Sequence, residues 1–264
     1  MSDFLRIAQE AAHGAGRLII EHCHDKHKIE NKIGFDFVTE IDQMSESFIR
    51  EYISGAFPGH NFFCEEQVSG SGKDEETWLK ELTGYTWVVD ALDGTTNFIR
   101  GIPQFAVSIA LVYQGEIIVG VVYDPTRDEL FSAEKGHGAF LNGEPIHVSA
   151  REQLCDAIVS MGYPASDMTK RADTLERFAK IAMQIGSLRV FNCAAILLSY
   201  VACGRTDMTF EEGIHLWDMA AGILLIKEAG GKIAGIDGSE FTIYRKDNLA
   251  GNPALVDTFI ELNK

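Results

Sequence analysis

Between residues 104 and 149 the chain falls into five short apolar runs, 104–113, 116–123, 129–133, 138–141 and 145–149. Gln114-Gly115, Asp124-Pro125-Thr126 and Asn142-Gly143 separate several of them. Gly, Pro, Asn and Asp supply the backbone angles that tight reversals need. Runs joined by such turns pair antiparallel, so the stretch predicts a meander against which the other elements must pack.

Two amphipathic helices precede it. Over 3–22, Phe4, Ala8, Ala11, Ala15 and Leu18 recur at spacings of three and four. Over 40–55, Ile41, Met44, Phe48 and Tyr52 share one face, and Asp42, Gln43, Glu46 and Arg50 lie largely on another. A short apolar run at 61–64, a polar Gly/Ser loop beginning the segment 67–79 and a strand at 87–89 lead into the meander. After residue 150 the pattern alternates: strand near 157–161, helix 168–185, strand 187–191, helix 193–203, strand 206–210, helix 218–229, a last strand pair and a helix at 254–262. Helix 218–229 is apolar nearly all round and ends at Gly230-Gly231, as a buried helix would. This order predicts a layered α+β fold in one domain, 1–264, with a soft boundary near 150.

The 264 residues carry a net charge of −16, which disfavours a nucleic-acid partner bound through a broad basic face. Lys/Arg clusters for an anionic membrane are missing, and no apolar stretch reaches the length of a span. Cys23, Cys64, Cys155, Cys193 and Cys203 are odd in number, irregular in spacing and without a CxxC pair. That argues against a disulfide framework and a structural zinc site, and makes a soluble cytoplasmic protein the expectation. His22, Cys23, His24 and His27 have some metal-ligand spacing but read better as a solvated helix end.

Several acidic groups have two readings each. Thr39 and Asp42 are spaced as a capping box, or Asp42 faces a site from a helix's first turn. Cys64-Glu65-Glu66 is a solvated pair, or Glu65 is a cation ligand at a strand end. Asp218 is an N-cap, a metal ligand or both. The most specific stretch is WVVDALDGTTNF (87–98), where a buried-looking strand ends in Asp90 and Asp93. Their carboxylates can converge around a tight turn, and oxygen-only ligands suit Mg²⁺. Gly94 and Thr95 then offer amides for phosphate oxygens.

Six segments in order resemble the inositol monophosphatase family of Mg²⁺-dependent phosphatases: DFVTEID (36–42), CEEQ (64–67), WVVDALDGTTNF, GHGAFLNGEPIHVS (136–149), EEGIHLWDMAAGILLIKEAGG (211–231) and LAGNPAL (249–255). The resemblance spans essentially the whole chain. It implies an αβαβα layered sandwich, usually a homodimer, with two or three Mg²⁺ per site and inhibition by Li⁺. It implies Glu65, Asp90 and the Leu92 carbonyl as ligands of one ion, and Asp90, Asp93 and Asp218 of a second. Asp42 and Thr95 match the pair that positions and deprotonates the attacking water, with Glu65 beside them in the catalytic set. Gly94 and Thr95 would bind phosphate; Asp93, Asn192, Cys193, Ala194, Glu211 and Asp218 would line the substrate side. Inositol 1-phosphate is the leading substrate. Fructose 1,6-bisphosphate, histidinol phosphate and nucleotide 2′- or 3′-phosphates are alternatives, and a non-catalytic interaction protein of the same fold is a further one.

The chain departs from the family pattern in places. Ala91 replaces a usual Pro and predicts a looser turn. Cys64 replaces Gly, and Asn192-Cys193 replaces a Gly-Ser or Gly-Thr pair near the substrate. Lys32 and the short segment 33–35 match a mobile loop near the active site.

Overall fold

The computed structural model describes residues 1–23, 25, 27–31, 37–71, 75–81, 83–164 and 168–263. Lys32, segment 33–35, Asp36 and His24 lie outside them. Helix α1 (Asp3–His22) starts at Ser2, whose Oγ accepts from the Leu5 amide at 3.2 Å. A short antiparallel pair, β1 (Ile29–Asn31) and β2 (Phe37–Thr39), leads into α2 (Glu40–Ala56). Next come β3 (Asn61–Cys64), α3 (Glu65–Ser69), α4 (Glu75–Glu81), β4 (Tyr85–Asp93) and α5 (Thr95–Ile99). The meander is β5 (Ala106–Tyr113), β6 (Glu116–Asp124), β7 (Glu129–Glu134), β8 (Ala139–Leu141) and β9 (Glu144–Ile146). The alternating half is β10 (Ile158–Met161), α6 (Met168–Ile181), β11 (Ser187–Val190), α7 (Ala194–Ala202), β12 (Met208–Glu212), α8 (Leu216–Glu228), β13 (Lys232–Ala234), β14 (Asp247–Gly251) and α9 (Pro253–Leu262).

The first sheet runs β3-β4-β5-β6-β7-β8-β9, with only β3 and β4 parallel. Its central strands are apolar on both faces because both are covered. Trp87, Val89, Ile109 and Val121 pack under Ala8, Ala11, Ala15 and Ile19 of α1 and Ile49 and Ile53 of α2. Val88, Ala110 and Val122 point the other way, onto Leu198 and Val201 of α7 and Ile223 and Leu225 of α8. The second sheet, β11-β10-β12-β14-β13, lies beyond α7 and α8. Its outer face takes Ile181 of α6 and Leu255 and Phe259 of α9 against Val159 and Phe210. The layers therefore read helix, sheet, helix, sheet, helix. The buried cluster around α7 and α8 joins residues from both sides of position 150. Among the described residues no helix is long and apolar enough to cross a membrane.

Three local expectations change. The segment after residue 64 is helical over Glu65–Ser69 and Glu75–Glu81, as α3 and α4. In α2 the buried face is Ile41, Asp42, Ser45, Glu46, Ile49 and Ile53, while Met44 and Tyr52 are exposed. Two acids thus turn inward, because the face they share looks onto the ends of β3 and β4. Strand β4 does not stop at Asp90. It runs to Asp93, pairing Asp90 with Ser108 and Asp93 with Ala106, so three steps on β4 match two on β5. The tight turn is a β-bulge, the device that re-aims side chains near functional sites.

Candidate active site

Asp90, Leu92 and Asp93 come from the bulged end of β4, and Glu65 from the first residue of α3 where the parallel neighbour β3 ends. Asp42 comes from the first turn of α2, Asp218 from the first turn of α8, and Glu211 from β12. Asp90 feels the charges of Glu65, Asp93 and Asp218, Glu211 those of Asp93 and Asp218, and Asp42 that of Glu65. All six predicted carboxylates are thus linked by charge interactions with one another.

Four of them are oriented by a backbone amide or a hydroxyl. Asp90 Oδ1 accepts from the Leu92 amide at 3.0 Å, and Asp218 Oδ2 from the His215 amide at 2.9 Å. Asp93 Oδ2 accepts from the Ala195 amide at 2.6 Å and from the Cys193 thiol at 3.3 Å. Asp42 Oδ2 accepts from the Thr39 amide at 2.8 Å and the Thr39 hydroxyl at 2.6 Å. The capping box is real, and it does not exclude a site role, since Asp42 Oδ1 accepts from Thr95 Oγ1 at 2.8 Å. Asp218 is likewise no N-cap: His215 is, and Asp218 reaches back to it from the third helical position.

Among the described residues no three Asp, Glu, His or Cys side chains are gathered tightly enough to enclose an ion as they stand. The fit of a divalent cation rests on the chemistry of the donor set. Burial lifts Asp90 well above the usual carboxylate range, and Glu65, Asp93 and Asp218 add to it. Asp218 is pushed up to about 8, by burial first; His215 opposes this, and Asp93 and Glu65 reinforce it. Asp93 rises to about 6 through burial, against its bonds from Ala195 and Cys193. Glu211 also rises well above its ordinary value through burial and the charges of Asp93 and Asp218. A cluster of oxygen donors that repel one another suits hard cations such as Mg²⁺.

The turn behind this wall is tightly built. Gly94 has φ +92°, and a Cβ there would lie 2.8 Å from the Gln104 carbonyl, so glycine is required on two counts. It opens α5, where the Gly94 and Thr95 amides precede any turn that could take them up. Thr95 Oγ1 lies 3.0 Å from the Leu92 carbonyl as well as 2.8 Å from Asp42. A hydroxyl has one proton, so it serves one of these acceptors at a time. Ala91 sits in a pinned strand rather than a loose turn: its carbonyl accepts from Ser45 Oγ at 3.0 Å. Asn192 has φ +51°, a left-handed angle that Gly adopts freely and Asn tolerates. Cys64 is fully buried.

Sequence reasoning missed two supports. Asn97 Nδ2 donates to the carbonyls of Gln104 and Phe191, both at 2.8 Å, tying α5 to the segment entering α7. Its place inside GTTNF was the available signal. Glu46 accepts from the Glu66 amide at 2.9 Å and so anchors the start of α3; its apparent polar face concealed it. The histidine-cysteine set does not form among its described members: His22 Nδ1 lies 2.9 Å from the Leu18 carbonyl, and the His27 ring packs on Phe98.

Gly162 stands against Glu211, and a Cβ there would overlap Oε1. Gly162→Ala is expected to displace the carboxylate and raise KM for substrate roughly tenfold, the value of one lost hydrogen bond, with a smaller change in kcat. Steady-state kinetics checks this, and an unchanged KM would contradict the expected contact of Glu211 with substrate.

Fold and site together define a class: an αβαβα sandwich with a cluster of carboxylates at its strand ends. The model of the inositol monophosphatase family matches residues 1–262, and the chain belongs to that family. Membership places it among the phosphatases of this superfamily. It is 39% identical over 267 residues to an inositol monophosphatase of Mesembryanthemum crystallinum, covering 100% of this chain and 97% of that protein. It is 40% identical over 258 residues to the Nus factor SuhB of Pseudomonas aeruginosa, covering 96% and 92%. The structure superposes on the extragenic suppressor protein SuhB of Bartonella henselae with a TM-score of 0.90 at 35% identity, covering 100% and 99%.

Proposed function

We propose that the chain hydrolyses a small phosphate monoester with Mg²⁺, and that inositol 1-phosphate is its best substrate. The observation that carries this reading is the 2.8 Å bond from Thr95 Oγ1 to Asp42 at the edge of the carboxylate cluster. A buried carboxylate joined to a hydroxyl can hold a water and take its proton. Asp42 suits the base role, since burial lifts it to about 6, against the bond from Thr39.

Glu65, Asp90 and the Leu92 carbonyl would hold one Mg²⁺, and Asp90, Asp93 and Asp218 another; a third is left open. Bound there, the ions would neutralise the clustered charge, ease loss of a proton from water and stabilise the leaving oxygen. Gly94 and Thr95 amides would hold phosphate oxygens. Glu211, Asp93 and the turn of Asn192, Cys193 and Ala194 would face the alcohol part of the substrate. Cys193 is no nucleophile: burial and the neighbouring Asp93 push its thiol up, so it stays protonated and donates to that carboxylate. Water therefore attacks in line, without a phosphoenzyme. A trapped phosphoprotein would contradict this.

The experiment is phosphate release from inositol 1-phosphate, fructose 1,6-bisphosphate, histidinol phosphate, a nucleotide 2′-phosphate and 3′-phosphoadenosine 5′-phosphate, each with Mg²⁺. Inositol 1-phosphate should rank first and Li⁺ should inhibit; a clear preference elsewhere reassigns the substrate. We further infer a cytoplasmic homodimer without nucleic-acid or membrane partners. Relatives named Nus factor suggest a second reading, a protein factor of the same fold. The full set of carboxylates favours catalysis.

A further inference from the structure

Glu75 opens α4, in the segment 67–79 that begins as a polar Gly/Ser stretch, and it is 7% exposed. Both of its oxygens are committed to residues about 140 positions away. Oε1 accepts from the Leu216 amide at 3.1 Å, and Oε2 lies 2.9 Å from His215 Nδ1. An ionised carboxylate only accepts, so Nδ1 carries the proton and donates. Lys246 Nζ, 3.2 Å from Oε2, balances the charge.

These contacts fall on the two residues that begin α8. His215 is its N-cap, a side chain without the short oxygen that normally satisfies a helix start. The Glu75 carboxylate serves the Leu216 amide from outside, at the end of the helix where negative charge is favoured. The His215 ring is held on its other side by stacking on Trp217, with centroids 4.5 Å apart. The His215 amide in turn donates to Asp218 Oδ2 at 2.9 Å. One carboxylate outside the cavity therefore fixes the peptide that aims a carboxylate inside it.

We propose that Glu75 is a positioning residue for Asp218, setting the direction of its carboxylate and so the affinity of the cleft for divalent cations. The proposal rests on the reading of Asp218 as a cation ligand. Support at one remove from a ligand typically governs affinity by 10–100-fold.

The test uses Glu75→Gln and Glu75→Ala, with Lys246→Ala as a control that removes the ammonium from the same carboxylate and keeps the carbonyl that accepts from the Gly213 and Ile214 amides. Amide hydrogen exchange over 214–218 in metal-free protein reads the helix start, and calorimetric Mg²⁺ titration reads affinity. Both Glu75 variants should exchange faster there and bind Mg²⁺ about tenfold more weakly, while Lys246→Ala stays within about twofold. If Glu75→Ala fails to fold, Glu75→Gln carries the comparison. Unchanged exchange overturns the proposal whatever the metal does, and faster exchange with unchanged Mg²⁺ affinity overturns it too. A native protein that binds no Mg²⁺ removes the cation reading of the cleft, and the role of Glu75 with it; that failure is seen without any substitution.

Discussion

Asp93→Asn should lower phosphate release roughly 10³-fold and leave the protein folded. Asparagine keeps the shape and one oxygen that can accept from the Ala195 amide, now 2.6 Å from Oδ2. What it removes is a negative charge in a cavity shared with Glu65, Asp90, Asp218 and Glu211. Without metal that charge is unfavourable, since it sits among like charges. The same substitution should therefore raise the melting temperature of the metal-free protein while it slows turnover. Phosphate release and scanning calorimetry on one preparation check both halves. Activity within about tenfold of the native value would exclude Asp93 as a ligand.

The second large effect is a stability that falls as pH rises, and that Mg²⁺ restores. Folded-state values for Asp42 and Asp93 are about 6 and for Asp218 about 8, against 3.8 in a free side chain. Raised carboxylates bind more protons folded than unfolded. Their contribution is intact below about pH 4 and is lost as pH climbs through the folded values. The window is thus pH 4 to 8, with Asp218 still titrating at the top. Each pH unit over which one group is so mismatched costs about 1.4 kcal/mol, shared across an interacting set. For a chain of this size, about 2–4 °C of melting temperature goes with each kcal/mol. His215, which burial lowers but Glu75 and Asp218 together raise above its ordinary value, acts in the same direction. Melting curves from pH 5 to 8 should descend by several degrees without metal and flatten with Mg²⁺, which binds only the folded site. A rise with pH, or an unaltered slope with Mg²⁺, would contradict the clustered-carboxylate account.

The parts legible in the sequence were those specified by near neighbours. Gln114-Gly115 and Asn142-Gly143 mark their own reversals, so β5 to β9 fall almost where the turn chemistry puts them. DALDGTT carries two acids, a required glycine and a hydroxyl within six positions of Asp90, which made the site visible at one strand end. Asp42, Glu65 and Asp218 were each ambiguous, because only the packing of α2, α3 and α8 around that strand end gives them a common cavity. The bulge was hidden for the same reason: it exists in the register of β4 against β5, and no property of Ala91 or Leu92 alone announces it. The inward turn of Glu46, the bond of Cys193 to Asp93 across 100 residues and that of Glu75 to His215 across 140 are tertiary facts that periodicity cannot carry.

The central claim is that this acidic cleft is a divalent-cation site for monoester hydrolysis. Its most direct test is the rate of phosphate release from inositol 1-phosphate as Mg²⁺ is titrated into metal-free protein. The account predicts no release without metal, a saturable rise with Mg²⁺ and its abolition by a chelator. Release that is indifferent to Mg²⁺, or none at any Mg²⁺ concentration from any monoester tried, would contradict it.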